Sequence, residues 1–197
     1  MLASELAEFI ADTLDLPCGT VLDRAKALRA AGLLSKGRQG PDRGAAMTSA
    51  DAINLLLANV LDHKRGDSAA TAVHRVRALQ AQGAALVMPE AFAKGLAAFE
   101  THWAGAALDC LLDDLRTARF AAWAGGESYR LTVAIENRGD LVFFALDKPK
   151  RDEMDVRSAM HAFAAPDRRP PLIERQTTIE GEIFRQLAAA LGPPASA

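Results

Sequence analysis

Apolar residues recur every three or four positions near the start of the chain, as they do along one face of an amphipathic helix. Residues 4–14, SELAEFIADTL, predict a first helix with Ser4 as its N-terminal cap and an apolar face of Leu6, Phe9, Ile10 and Leu14. The next three residues, Asp15-Leu16-Pro17, predict the end of this helix and a short turn.

A second helix is predicted over residues 19–31, directly after the turn. Its apolar face consists of Val21, Ala25 and Leu28, and Gly32 suits the left-handed conformation in which many helices end. A third helix is predicted over residues 48–61, because Thr48 and Asp51 have the spacing of a capping box.

An exposed loop separates the second and third helices. Residues 35–46, here called the basic arm, contain three glycines and one proline, which interrupt regular structure. They also contain three basic side chains, Lys36, Arg38 and Arg43. This composition predicts a surface loop that carries positive charge.

The later part of the chain changes from helical to strand periodicity. Helices are predicted at 68–82 and from Pro89 to about Trp123, the second with a candidate interruption near Gly105. Within the long helix, Phe92, Phe99 and Trp103 form a stripe that fits a core, a self-association seam or a ligand pocket. The elements predicted after it are a hairpin of 129–135 and 141–146 around the turn ENRGD, a segment 156–163 that fits helix and strand equally, a third strand at 172–179, and a closing helix at 180–191.

The composition is globular, since half of the 197 residues are apolar and 24% are charged, which excludes a disordered or fibrous chain. The net charge of −2 excludes a uniformly basic, histone-like protein. Residues 20–50, however, hold six basic and two acidic side chains, a local charge of +4 that leaves −6 for the remainder. A role with nucleic acid would therefore depend on this local patch.

Two predicted helices joined by a short turn form a helix-turn-helix pattern, in which the first helix supports a second one in the major groove. The characteristic positions are Thr20-Val21, Leu28, the corner Ala31-Gly32-Leu33-Leu34, Asp42-Arg43 and Met47-Thr48. In this order they resemble the winged helix-turn-helix regulators, in particular the MarR-like type, over residues 4–51. Nothing after Asp67 resembles the dimerisation helices of that family, so its effector sites are not carried over.

The resemblance implies that DNA is contacted by the second helix and by the basic arm. The candidate DNA-binding residues are Thr20, Arg24, Lys26 and Arg29 on the helix, and Lys36, Arg38 and Arg43 on the arm. Few outward side chains of the helix are suited to bidentate contact with base edges. Specificity is therefore expected from an arm arginine that enters the minor groove.

Common catalytic and metal-binding signatures do not occur in the sequence. Cys18 and Cys110 are too few for a disulfide framework or a structural zinc site, and the four histidines are scattered. The acidic residues Asp109, Asp113 and Asp114 are interpreted as a solvated helix face. No phosphate-loop, esterase or zinc-protease motif is present. We therefore expect no enzyme activity, no catalytic residue, no metal site and no cofactor.

Together these patterns predict a mainly α protein with a small antiparallel sheet of about three strands, an α+β fold. It is expected to divide into a winged-helix-like head, residues 1–65, and an α+β domain for self-association or partner binding, residues 66–197. The expected function is that of a dimeric, sequence-specific transcriptional regulator in the cytoplasm of a bacterium or in a phage, with double-stranded DNA as its partner and no membrane association. Two alternatives stay open, namely a phage-type DNA-packaging or replication accessory protein of the terminase small-subunit type, and a helix-turn-helix used only for protein contact.

Overall fold

The computed structural model describes residues 1–36, 46–61, 68–81, 96–124, 130–136, 141–149, 156–164 and 176–193. Within these ranges the chain forms seven α-helices and one five-stranded antiparallel sheet. The predicted α+β class, mainly helical, is therefore confirmed. The sheet exceeds the predicted three strands because the ambiguous segment 156–163 is a strand and because a two-residue strand is added at one edge.

Three helices build the N-terminal part, namely α1 (Ala3–Leu14), α2 (Cys18–Ala30) and α3 (Ser49–Val60). The central one is α3, since nine of its twelve residues are buried. The predicted apolar faces of α1 and α2 pack against it through Leu6, Ile10, Val21, Ala25 and Leu28. The amphipathic spacing thus places the first two helices as expected.

The N-terminal caps of α1 and α3 differ in how well the sequence predicted them. The predicted Ser4 cap is wrong, because Ser4 lies inside α1 and the carboxylate of Glu5 accepts a hydrogen bond from the backbone N–H of Leu2 at 2.6 Å. The capping box of α3 is confirmed. The hydroxyl of Thr48 accepts from the backbone N–H of Asp51 at 3.1 Å, and the Asp51 carboxylate accepts from the N–H of Thr48 at 2.9 Å.

Both α1 and α2 end in a residue with left-handed backbone conformation. After α1 this residue is Asp15, with φ 51°, and after α2 it is Gly32, with φ 75°. In each case the next N–H returns to a carbonyl of the last turn, from Leu16 to Ala11 and from Leu33 to Leu28, both at 2.9 Å. These are the bonds of a Schellman motif, which ends a helix and turns the chain sharply.

The helical region that follows is divided into shorter elements. They are α4 (Ala69–Arg77), the two-residue strand β1 (Gln80–Ala81), a 3₁₀ turn (Ala97–Phe99), α5 (Ala104–Arg116) and α6 (Ala118–Ala124). Ser68 caps α4 by accepting from the N–H of Thr71 at 3.1 Å. None of the helices in the described ranges combines the length and apolar character that a membrane span requires.

The predicted long helix up to Trp123 is wrong over its described part. Trp103 is extended because it forms a β-bridge with Gln80, and α5 begins only after it. Thr117 is also extended and separates α5 from α6. The break at Trp103 lies two residues before Gly105, near which the sequence predicted an interruption. Phe99 and Trp103 therefore do not share a helix, and Trp103 is 47% exposed. Phe92 and Pro89 lie outside the described residues.

The remaining strands are β2 (Arg130–Glu136), β3 (Leu141–Pro149), β4 (Val156–Ala164) and β5 (Gln176–Glu180). They form a sheet in the order β1-β4-β3-β2-β5, in which all neighbours are antiparallel. The predicted hairpin is confirmed, with Val133 opposite Phe144 in its register. Its turn residues, 137–140, lie outside the described residues, as do residues 172–175 of the predicted third strand.

The last helix, α7 (Gly181–Leu191), follows β5 directly and packs on α5 and β2. Its first residue touches β2 so closely that a Cβ on Gly181 would lie 2.6 Å from the Cβ of Leu131. One hydrophobic cluster contains residues of the helices and of the sheet, among them Leu56, Leu111 and Val133. The predicted domain boundary lies within residues 62–67, outside the described residues, and stays a prediction.

Candidate nucleic-acid interface

The second helix presents one face to solvent. Val21, Ala25 and Leu28 are buried, as predicted, and the exposed side consists of Gly19, Thr20, Leu22, Asp23, Lys26, Ala27 and Ala30. Most of these side chains are small, so another molecule could approach the helix backbone closely. Leu22 is the one large apolar side chain among them and is 38% exposed.

The candidate basic residues of α2 have different surroundings. Lys26 forms an exposed ion pair with Asp23 at 2.9 Å, where it stays available to solvent. Arg29 is half-buried in the last turn of the helix. Arg24 is also half-buried, and its guanidinium donates to the side-chain oxygen of Asn59 at 2.9 Å. Arg24 therefore joins α2 to the last turn of α3, a contact that the sequence did not predict.

The structure describes the two ends of the basic arm. Lys36 is exposed, whereas Arg38 and Arg43 lie outside the described residues. Ser35 at the start of the arm donates its backbone N–H and its hydroxyl to the Asp51 carboxylate, at 2.7 and 2.8 Å. Thr48, just past the end of the arm, donates to the same carboxylate with both its N–H and its hydroxyl.

Asp51 is therefore more than the helix cap that the sequence indicated. It is 4% exposed and accepts four hydrogen bonds, two from each side of the arm. The two ends of the arm are consequently held together beside the corner that follows α2. A buried carboxylate with this many donors is well satisfied, so the closure is rigid at its base.

A second polar group holds the corner after α2 and was missed by the sequence analysis. Asn54 is 4% exposed, and its amide donates to the backbone carbonyl of Leu33 at 2.7 Å. The side-chain oxygen of Asn54 accepts from Arg77 of α4 at 2.9 Å, and Arg77 pairs with Asp109 of α5 through two parallel hydrogen bonds. The sequence did contain a signal for this buried contact, since Asn54 is the polar residue inside the apolar run INLLLA.

A third polar group joins the start of α3 to the C-terminal part of the chain. Ser49 donates to the carboxylate of Asp113 and accepts from Arg116 at 2.7 Å. Arg116, whose side chain is 7% exposed, also donates to the backbone carbonyl of Gly192 at 2.7 Å. The first turn of α3, next to the arm, is thereby linked to α5 and to the end of α7.

The acidic residues of α5 form the predicted solvated face only in part, since Asp113 is exposed, Asp109 is half-buried and Asp114 is buried. Asp114 is buried and accepts from Arg119 at 3.1 Å. Burial raises the pKa of Asp114, and Arg119 and the backbone of Ala98 oppose that rise. Burial likewise raises the pKa of Asp109, against the lowering effect of Arg77. The prediction is wrong for Asp109 and Asp114 because α4 contacts the first and the 3₁₀ turn contacts the second.

Two observations bear on metal binding and on thiol chemistry in the described residues. No group of three or more histidine, cysteine, aspartate or glutamate side chains in the described ranges is arranged to hold a metal ion. Burial and the neighbouring carboxylates, Asp114 foremost, raise the pKa of the Cys110 thiol, which disfavours the reactive thiolate. Among the described residues, hydrogen bonds bring Ser35 and Thr48 together on Asp51 and join Arg24 to Asn59. A search against family models, curated proteins and solved structures found no match to this chain.

Proposed function

We propose that this protein binds double-stranded DNA through α2 and the basic arm and acts as a cytoplasmic transcriptional regulator. The observation that carries the proposal is the closure of the arm by Asp51. It holds Ser35 and Thr48, which lie at the two ends of the positively charged arm, together close to the end of α2. A helix and an adjacent basic loop form the contact surface of winged helix-turn-helix proteins, which residues 4–51 resemble.

The charge distribution supports the same proposal. Residues 20–50 carry a net charge of +4, while the rest of the chain sums to −6. Four of the acidic residues in that remainder, Glu5, Glu8, Asp12 and Asp15, lie in or just after α1, so the positive charge is confined to a local patch. A local patch of this kind attracts phosphates over a short range.

The proposal gives each basic residue a part. Lys26, Arg29 and Lys36 contact phosphates from α2 and from the start of the arm, and Thr20 adds a hydroxyl at the other end of α2. Arg24 fixes α2 against α3 and reaches the phosphates only from the flank. Arg38 and Arg43 are assigned to the minor groove, where a narrow groove attracts arginine.

A single head of this size makes few base contacts. Two copies related by a two-fold axis would double them on a palindromic site, so we propose a homodimer. The proposal assigns no reaction and no cofactor to the protein.

The test is binding to duplex DNA measured by fluorescence anisotropy, with pooled genomic fragments at several salt concentrations. About four to six phosphate contacts give a slope of log K against log salt of about −4 to −5. The triple variant Lys26→Ala, Arg29→Ala, Lys36→Ala should flatten this slope by about 2 to 3. Arg38→Ala with Arg43→Ala should flatten it by about 2, as each lost contact contributes about 0.9.

The matched control removes two positive charges from the C-terminal part of the chain, outside α2 and the arm. Arg130 is exposed at the start of β2, and Arg185 forms an exposed pair with Glu182 on α7. Replacing both with glutamine should leave the slope unchanged. Equal losses in the test and control variants would mean that binding depends on overall charge alone, and no binding at low salt would exclude the DNA role.

Exposed Leu22 favours a second candidate function, a helix-turn-helix used for protein contact. An apolar side chain in the middle of the outward face contributes more to a protein interface than to contact with phosphates. Under this alternative, Leu22→Ser abolishes capture of a partner protein, and the basic variants do not. Under the DNA proposal, Leu22→Ser leaves the salt slope unchanged.

A further inference from the structure

We infer that Asp109 of α5, acting through Arg77 and Asn54, is a positioning residue for the corner that joins α2 to the basic arm. This inference rests on the proposed DNA binding and extends it to residues of the C-terminal part, for which the sequence predicted only self-association or partner binding. It concerns the orientation of α2 and of the arm, since none of the three residues belongs to the DNA-contacting set.

The geometry is a continuous chain of hydrogen bonds. Asp109 accepts two from Arg77, one of them at 3.0 Å, and Arg77 donates to Asn54 at 2.9 Å. Asn54 then donates to the carbonyl of Leu33 at 2.7 Å. Leu33 is the residue that closes the Schellman motif of α2, so the chain ends at the point where α2 stops and the arm starts.

The Arg77 side chain packs against α5 at Gly105, where only a glycine leaves room for it. A Cβ on Gly105 would lie 2.9 Å from the Cβ of Arg77 and 3.0 Å from its Nε. Glycine at this position of α5 therefore allows the arginine to run alongside the helix to Asp109. The side chains of Arg77 and Asp109 are each 22% exposed, so their pairing is largely removed from water.

The Arg77–Asp109 pair helps to fix the orientation of the Asn54 amide, because the two ends of that amide have different partners. The amide nitrogen is used by Leu33, and the oxygen accepts from a guanidinium that Asp109 holds in position. Without the carboxylate, Arg77 would lose its bidentate partner and the orientation of the Asn54 amide would no longer be fixed. The carbonyl of Leu33 would then be free to move, and with it the direction in which the arm leaves α2.

The experiment compares the full-length wild type with Asp109→Asn on a selected DNA site and on random duplex. We expect Asp109→Asn to lower the ratio of specific to non-specific affinity by about tenfold, the effect of losing one charge-assisted hydrogen bond. The salt slope should stay unchanged because the phosphate-contacting residues are intact. A merely structural defect would reduce the folded fraction, which lowers binding to both DNAs equally and leaves the ratio unchanged.

Hydrogen exchange supplies a second readout that needs no DNA. In Asp109→Asn, amides of residues 28–36 should exchange faster, whereas those of α7 should not change. Asn54→Ala should have the same effect, and the double variant should add nothing further, since both act on one chain. Glu182→Gln, which removes a carboxylate from the exposed side of α7, is the control and should alter neither readout.

The possible results distinguish failure of the positioning role of Asp109 from failure of the proposed DNA binding. If the wild type binds no DNA, the proposed function falls and the positioning role falls with it, even if exchange near Leu33 responds. If the wild type binds DNA while Asp109→Asn keeps both the affinity ratio and the exchange rates, DNA binding stands and the inference is overturned. If only exchange near Leu33 changes, the corner moves without affecting recognition, which also overturns it.

Discussion

Arg24 and Asn59 join α2 to the last turn of α3 through a hydrogen bond of 2.9 Å. The guanidinium also reaches the backbone carbonyl of Asn59, at 3.4 Å. A residue that the sequence placed among the DNA contacts therefore has a packing role in the head itself.

We expect Arg24→Ala to destabilise the fold by about 1 kcal/mol, the usual net value of such a hydrogen bond. Lys26→Ala serves as the control, since its ion pair with Asp23 is exposed and contributes little. Urea unfolding followed by circular dichroism measures both. Equal stability of the two variants would contradict the packing role of Arg24.

The two glycines of the α2 region should respond oppositely to alanine. Gly32 has φ 75°, so Gly32→Ala should cost about 1 kcal/mol through backbone strain alone, since a Cβ there would meet nothing within 4 Å. Gly19 lies inside α2 with equally open surroundings, and Gly19→Ala should stabilise by about 0.5 kcal/mol. Thermal unfolding of both variants gives the comparison, and a loss at both positions would exclude the conformational explanation.

Removal of the Asp51 carboxylate should open the base of the arm. Asp51→Ala loses a helix cap and the hydrogen bonds from Ser35 and Thr48, for which we expect a cost of about 2–3 kcal/mol. Asp12→Ala on the exposed side of α1 is the control and should stay within about 0.5 kcal/mol. Chemical denaturation measures the loss, and proteolysis within residues 37–45 should become faster in Asp51→Ala alone.

The raised pKa of Asp114 predicts how stability depends on pH. The folded state binds the proton of Asp114 at pH values where the unfolded chain has lost it, so this group favours folding more strongly as the pH falls from 7 toward about 4. The stability of the wild type relative to Asp114→Asn should therefore rise over this range, by no more than about 1.4 kcal/mol for each pH unit.

The control for this pH dependence has the opposite sign. Hydrogen bonds from Arg185 and Gln186 lower the pKa of Glu182, so its contribution is present at neutral pH and is lost as the pH falls. The stability of the wild type relative to Glu182→Gln should decrease toward acid pH. Urea unfolding at pH 4, 5.5 and 7 tests both signs, and a flat difference for Asp114→Asn would be inconsistent with its raised pKa.

The sequence predicted the local elements better than their polar connections. Helical periodicity and the Thr48–Asp51 spacing are properties of residues close in sequence, so the sequence alone predicted the helices α1, α2 and α3. The exact start of α5 depends on the bridge between Trp103 and Gln80, and the burial of Asp114 depends on α5 being covered, so neither is encoded in a local pattern. Long-range partners override local propensity in both cases.

Contacts between residues far apart in sequence also explain which parts of the candidate interface were not predicted. The inward face of α2 follows from residue spacing, but the Arg24–Asn59 bond joins residues that are 35 positions apart. Likewise, Asp51 was recognisable as a cap through Thr48, three residues away, and not as the partner of Ser35 across the arm.

The strand order β1-β4-β3-β2-β5 has a consequence for the kinetics of folding. Strands β2, β3 and β4 pair with their neighbours in sequence, whereas β1 joins β4 across more than seventy intervening residues. Closing a long loop is entropically costly and slows the contacts that need it. We therefore expect the three-stranded meander and the N-terminal helices to form early. The edge at Gln80 should then close last, together with the bridge that sets the start of α5.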